Sequence, residues 1–424
     1  MRLFCFKTEV FCISGVQVVY SAVSSNPLPG SSVRLAKGRL ARRLPRLQGP
    51  SQNSAKLRQR SSGSYSARFC VTAVAEEQTS AGSRTTVDWD KLGFGLQDVA
   101  PTMYVANYTP EAGWSGTLQP YGALEMSPAA QVLNYGQSIF EGMKARRATN
   151  DTIVLFRPDK NAERFQAGAD RLCMPQVPTE MFVSAVKELV QANSDYVPPG
   201  DKGSLYIRPL LMGTGPILGL GPAPSYTFCI FAAAVGAYFK GGQLSPIDLL
   251  VETKFHRAAP GGMGGTKAAG NYSPVLVTQM EAKKEGYSDV VYLDAKTDTY
   301  LEEVSSCNIF VVKGKSIATP SLEGTILPGV TRRSVIELAK AKGYTVEERP
   351  VAISEAMEAD EVFTTGTAVV LCAVGSITYL GEKKCYGTSG EPTPVALELY
   401  EALTGLQDLR LPDPDNWVVP VAGA

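Results

Sequence analysis

Pro260-Gly-Gly-Met-Gly-Gly-Thr-Lys267-Ala-Ala-Gly-Asn-Tyr272 sets one lysine among small residues and follows it with an aromatic hydroxyl. A Walker phosphate loop needs Gly directly before the lysine and Ser or Thr directly after it; Thr266 and Ala268 stand there, so that reading fails. Small residues let a planar ligand approach the backbone, and an amine in an apolar setting loses basicity and gains nucleophilic character. On composition alone, a solvated lysine on a glycine loop is the commoner arrangement.

Working outward, Ser273-Pro274 predicts a helix with Ser as N-cap and Pro in the first turn, closed by Gly286. Beyond it, 289–293, 301–303 and 309–312 read as strands joined by the turns 294–299 and 313–315. A helix over 331–342 ends at Gly343. Towards the N-terminus, the apolar runs 226–235 and 247–251 predict buried strands. The segment 202–221, after a strand at 204–208, is rich in Gly and Pro and reads as a long structured loop. Phe182, Val183, Val186, Leu189 and Val190 fall on one face of a helix over 179–193, with Thr179 as its cap. From residue 87 onward the texture is mixed α/β, with no internal repeat and no transmembrane segment.

The first 75 residues differ. They hold twelve Lys/Arg and twelve Ser against one acid, Glu9, which is the composition of an organelle transit peptide, closer to a plastid than a mitochondrial one; the apolar run 10–23 leaves a secretory signal as an alternative, and a plain disordered tail is the other. Without them 29 basic and 40 acidic residues remain, and an acidic body argues against nucleic acid as a partner. The eight cysteines are scattered without close pairs, and there is a single histidine, His256. Disulfide scaffolds, zinc sites and histidine triads are therefore not expected, and acid–base chemistry falls to Lys, Glu, Asp, Tyr or Cys.

Phe140-Glu-Gly-Met-Lys144, Leu205-Tyr-Ile-Arg-Pro209, Gly265-Thr-Lys-Ala-Ala-Gly-Asn-Tyr-Ser273, Leu327-Pro-Gly-Val-Thr-Arg-Arg333 and Thr365-Gly-Thr-Ala368 together resemble the ordered motifs of the branched-chain aminotransferase family. The resemblance runs from about residue 87 to the C-terminus. It implies an α/β (α+β, two-domain) fold, D-amino acid aminotransferase-like PLP fold type IV, with a smaller domain at 87–236, a linker at 237–243 and a larger domain at 244–424. It also implies pyridoxal 5'-phosphate as cofactor and a homodimer, in which the loop holding Leu218 and Leu220 reaches the partner's site.

The same resemblance assigns roles. Lys267 is the catalytic lysine that carries the cofactor, and Tyr272 and Ser306 are further cofactor contacts. Glu303 faces the pyridine nitrogen; its neighbour Glu302 would point to the opposite face of a strand and be solvated or structural. Val330 and Thr331, at a helix start, together with Arg164 and Thr367, receive the phosphate. Tyr135, Phe140, Tyr206 and Tyr238 form an apolar substrate wall, Arg208 takes a distal carboxylate, and Thr367 and Ala368 complete the substrate site. Without the motifs, the tyrosines would read as core aromatics and Arg164 as a solvated helix residue. A Cys-x-x-Cys redox pair of some family members has Val369 and Cys372 at its positions here, so a thiol switch is not expected.

The implied reaction is reversible amino transfer between leucine, isoleucine or valine and 2-oxoglutarate, in two half-reactions. Two alternatives remain: another fold type IV enzyme, such as a D-amino acid aminotransferase or aminodeoxychorismate lyase, and a non-catalytic small-molecule-binding relative.

Overall fold

Buried and half-buried side chains alternate along Gly203–Gly213, the mark of a strand with one face in a core, while its neighbour Tyr226–Gly236 is buried almost throughout. In the computed structural model, which describes residues 10–13, 16–19, 87–236 and 244–421, these strands pair antiparallel over their full length. They form the centre of a nine-stranded sheet. Thr102–Thr109 and Gly113–Pro120 extend it on one side, Met143–Arg147 and Ile153–Phe156 on the other, and Val418–Pro420 returns near the C-terminus to pair with Ile153–Phe156.

Helices Pro158–Arg171 and Thr179–Ala192 pack on this sheet through Phe165 and Phe182, whose rings meet Phe228 at centroid distances of 5.7 and 5.9 Å. All three rings are buried, and each contributes about 1.5–3 kcal/mol by leaving water.

A second sheet, whose strands lie on both sides of the Lys267 segment in sequence, curls onto itself. Leu301–Val304, Asp289–Leu293, Ile247–Val251, Val370–Tyr379, Glu361–Gly366 and Asn308–Lys313 pair in that order, and Asn308 then pairs with Glu303, closing a six-stranded ring. Phe310 and Phe363 stack in its core at 4.8 Å, and helices Val330–Ala341 and Pro394–Gln407 pack against it.

Several expectations need correction. The strand expected at 204–208 runs on to Gly213, which leaves a shorter loop. Pro209 is tolerated because the flanking strands break opposite it: Leu210 faces Phe140, Ile207 faces Met143, and no ladder partner needs its missing amide. Thr179 is the first helical residue rather than the cap, and Pro274 rather than Ser273 sits at the N-cap; neither cap is made by a side chain. Near the N-terminus Val10–Ile13 and Val16–Val19 form an antiparallel hairpin within a separate unit, 1–79. The rest of the expected leader, the expected linker 237–243 and Tyr238 lie outside the described residues.

Candidate active site

The glycine loop around Lys267 is pinned rather than free. Asn271 Nδ2 donates to the carbonyls of Met263 and Thr266 at 2.7 and 2.8 Å, and the Gly265 amide donates to Gly324 at 2.8 Å. The Lys267 carbonyl accepts the Phe140 amide at 3.1 Å, tying the segment to Ser138–Phe140. Lys267 Nζ lies 3.3 Å from Tyr272 Oη and 4.6 Å from the centre of the Phe140 ring. Burial, with Arg164 next in weight, pushes the Lys267 ammonium down to about 8. The same burial, with Glu303 beside it, pushes the Tyr272 phenol up to about 12, so its proton stays on at neutral pH.

Lys267 opens onto a narrow cleft that is also lined by Arg164, Tyr272, Glu303, Ser306, Val330, Thr331 and Thr367. These eight are the residues assigned above to the cofactor. Glu303 is buried, with Oε1 accepting from Asn308 Nδ2 at 2.5 Å and from the Leu327 amide at 3.1 Å, while Oε2 pairs with Arg257. Burial pushes its carboxyl up to about 7, against the pull of the Arg257 guanidinium. Glu302 is buried too, the structural rather than the solvated of the two outcomes expected for it; its Oε2 has no hydrogen-bond partner among the described residues, and burial raises its pKa. The closed ring of strands buries both faces where an open sheet would expose one.

At the other end, Val330–Ala341 starts from Gly329 with no side-chain cap, leaving its first amides for an anion. Arg164 is fixed there by Glu141, which is fully buried and accepts from Arg164 Nε at 2.7 Å and Nη2 at 2.8 Å, and from Asn161 Nδ2 at 2.8 Å. Burial opposes ionisation of Glu141, but Arg164 outweighs it and holds the carboxyl below its usual value. Glu141, Arg257 and Asn308 carry no assignment in the sequence reading. Glu141 stands inside a quoted motif, and that position was the one available signal.

The substrate residues divide. Phe140 and Tyr206 flank Arg208, whose guanidinium carbon sits 4.9 and 5.4 Å from their ring centres. Arg208 Nε is buried without an acceptor, and no carboxylate among the described residues pairs with it. Gly142 leaves room for the Tyr206 hydroxyl, which a Cβ there would strike. Thr367 Oγ1 donates to the Gly142 carbonyl at 3.1 Å, and the Ala368 carbonyl accepts from Lys144 Nζ at 2.7 Å. Tyr135 is not brought in. It is exposed at the end of Gln131–Tyr135, with its hydroxyl 3.3 Å from the Leu218 carbonyl. Cys372 is fully buried and lies 3.7 Å from the Ser245 carbonyl.

An amine, a carboxylate and an anion seat converging on one narrow cleft fit pyridoxal phosphate by their chemistry: Lys267 for the carbonyl carbon, Glu303 for the ring nitrogen, and Arg164 with the helix start for the phosphate.

Comparison with known proteins agrees. Residues 138–377 match the amino-transferase class IV family. The chain is 54% identical over 353 residues to branched-chain-amino-acid aminotransferase 5, chloroplastic, of Arabidopsis thaliana, covering 82% of this chain and 84% of that one. It is 50% identical over 340 residues to branched-chain amino acid aminotransferase 1, mitochondrial, of Humulus lupulus, covering 80% and 85%. Among solved structures, the branched-chain amino acid aminotransferase of Escherichia coli superposes with a TM-score of 0.65 at 28% identity, covering 76% of this chain and 99% of that one.

Proposed function

This chain belongs to the class IV aminotransferase family, as a fold type IV branched-chain-amino-acid aminotransferase that uses pyridoxal 5'-phosphate, and on that premise we propose which residues carry each part of its reaction. When bound, the cofactor supplies a carbonyl carbon that takes up the amino group and a ring that disperses the electron pair left at the substrate α-carbon. Lys267 Nζ holds the cofactor and, once released, takes the proton from that α-carbon. Its lowered basicity, about 8, places it near the working pH of a general base. Tyr272 keeps its phenol proton and can donate it at the same end of the cleft. Glu303, oriented by Arg257, Asn308 and the Leu327 amide, holds the proton of the ring nitrogen.

Substrate discrimination follows from the wall. The aromatic faces of Phe140 and Tyr206 accept a branched aliphatic side chain, and the unpaired Arg208 at the same wall accepts the second carboxylate of glutamate or 2-oxoglutarate. The Thr367-Ala368 turn receives the α-carboxylate common to all of them. Two copies assemble as a homodimer. Leu218 and Leu220 are 91% and 84% exposed on the loop beside Tyr135, an apolar surface that a second copy would cover and use to complete its wall. The small and large domains are 87–236 and 244–424, and residues 1–75 direct the chain to a plastid.

The observation that carries this reading is the convergence of Lys267, Glu303 and Arg164 on one cleft. The test is a half-reaction screen in which the cofactor-loaded protein meets single amino acids and its absorbance is followed. Conversion by leucine, isoleucine, valine and glutamate is expected. Conversion by D-alanine with none by leucine would move the chain to another branch of the fold.

A further inference from the structure

Lys144 is a half-buried lysine that the reaction above does not use. Its Nζ donates to the Ala368 carbonyl at 2.7 Å, across 224 residues of sequence. No carboxylate among the described residues forms an ion pair with it: the nearby Asp408 pairs with Arg146 instead, at 2.8 Å. Burial pushes its ammonium down to about 7, so a lysine is kept where an apolar side chain of equal length would pack without that penalty. The retained group therefore has a use, and its one hydrogen bond says where.

The turn it holds is strained. Val370, at the end of the turn, has φ of +64°, a backbone region that a β-branched residue enters only when its surroundings enforce it. Two ties hold the turn beside it, both from one short stretch of the first sheet: Lys144 Nζ to the Ala368 carbonyl, and Thr367 Oγ1 to the Gly142 carbonyl at 3.1 Å. Lys144 also lies opposite Tyr206 in the sheet, so the same register sets the substrate wall and the turn. With the Ala368 carbonyl thus engaged, the backbone amides of Thr367 and Ala368 donate to nothing among the described residues. They remain for a ligand carboxylate.

We propose that Lys144 is a positioning residue that fixes the Thr367-Ala368 turn to receive the substrate α-carboxylate. The proposal rests on the reading of that turn as the carboxylate seat. Every substrate carries an α-carboxylate, so loss of the tie weakens the binding of all of them alike and leaves the cofactor seat intact.

The test uses the cofactor-loaded, full-length protein and the variants Lys144→Met, Lys144→Arg and Thr367→Ala. Lys144→Met is expected to raise KM for leucine and glutamate by a common factor of about ten, the worth of one hydrogen bond, with kcat and cofactor affinity close to the parent's. Lys144→Arg, which keeps a donor, should recover most of the loss; melting temperatures of both variants report folding independently. Calorimetric binding of 4-methylpentanoate, a carboxylate without an amine, separates the two claims. Weakened binding in Thr367→Ala and Lys144→Met supports both. Unchanged binding in Lys144→Met overturns the role of Lys144, whereas a parent protein that binds the neutral 4-methylpentanamide as tightly as the acid overturns the carboxylate seat itself, whose backbone amides Thr367→Ala keeps. A KM increase confined to glutamate would make Lys144 a direct ligand of the distal carboxylate and also overturn the proposal.

Discussion

Replacing Arg208 with Met keeps an unbranched stem of similar length and removes the guanidinium. In the structure that guanidinium lacks a carboxylate partner: Nε has no acceptor, Nη2 reaches only Tyr206 Oη at 3.4 Å, and the rest of the group lies against two aromatic rings. Its unmet capacity is what glutamate would fill. A hydrogen bond to a charged group contributes about 1.5–3 kcal/mol, and at about 1.4 kcal/mol per tenfold this becomes a loss of roughly 10- to 150-fold in kcat/KM for glutamate. Leucine brings no second carboxylate, so its value stays within about threefold, as for a volume-conserving swap. The unliganded protein should melt no lower than the parent, because the substitution removes a half-buried cation that is in no ion pair among the described residues. Single-turnover half-reactions with each amino acid alone, followed by cofactor absorbance, read both values without a shared co-substrate. Equal losses for the two donors would refute the reasoning, since they would mean that Arg208 receives the α-carboxylate or only braces the aromatic wall.

Further outcomes follow from the buried carboxylates and the lysine. Glu303→Gln should retain bound cofactor yet slow α-proton removal, whereas Glu302→Gln, which changes an oxygen without a partner, should behave like the parent; stopped-flow traces that reverse this order would shift the strand register by one residue. Glu141→Gln leaves the buried Arg164 without its ion-pair partner and should cost about 3–5 kcal/mol of stability, together with cofactor affinity, measured by urea unfolding and cofactor titration. Because the Glu141 carboxyl is held below its ordinary 4.5, its contribution is present above that pH and disappears as pH falls through the lowered value. The acid-unfolding curve of Glu141→Gln should lack that component. Reconstitution of cofactor-free protein should accelerate as pH rises through about 8, where Lys267 loses its proton, and a flat profile would contradict the lowered basicity of that lysine.

The segments that carry chemistry were legible because each packs several constraints into a few residues. In Phe140-Glu-Gly-Met-Lys144 every position but Met143 meets a partner in the site: Phe140 lies beside Lys267, Glu141 binds Arg164, Gly142 makes room for Tyr206, and Lys144 holds Ala368. What could not be read was partnership at long range. Glu141 and Arg164 are 23 residues apart, and Arg257 and Glu303 meet only because the second sheet closes on itself through the Glu303 and Asn308 pair. Nothing in local hydrophobic period signals either contact. The same limit explains Glu302: alternation along a strand assigns opposite faces, but only the closed ring makes both of them interior. Strand 203–213 runs through Pro209, a general strand breaker whose tolerance here depends on the gap between two neighbouring strands.

The central claim is that Lys267 carries the cofactor. Borohydride reduction of the cofactor-loaded protein fixes the linkage as a stable amine, and peptide mapping then locates it. A single modified peptide containing Lys267 is expected. Lys144 is the informative competitor, being half-buried and even less basic, at about 7 against about 8. Reduced cofactor on Lys144, or on any lysine other than Lys267, would contradict the account.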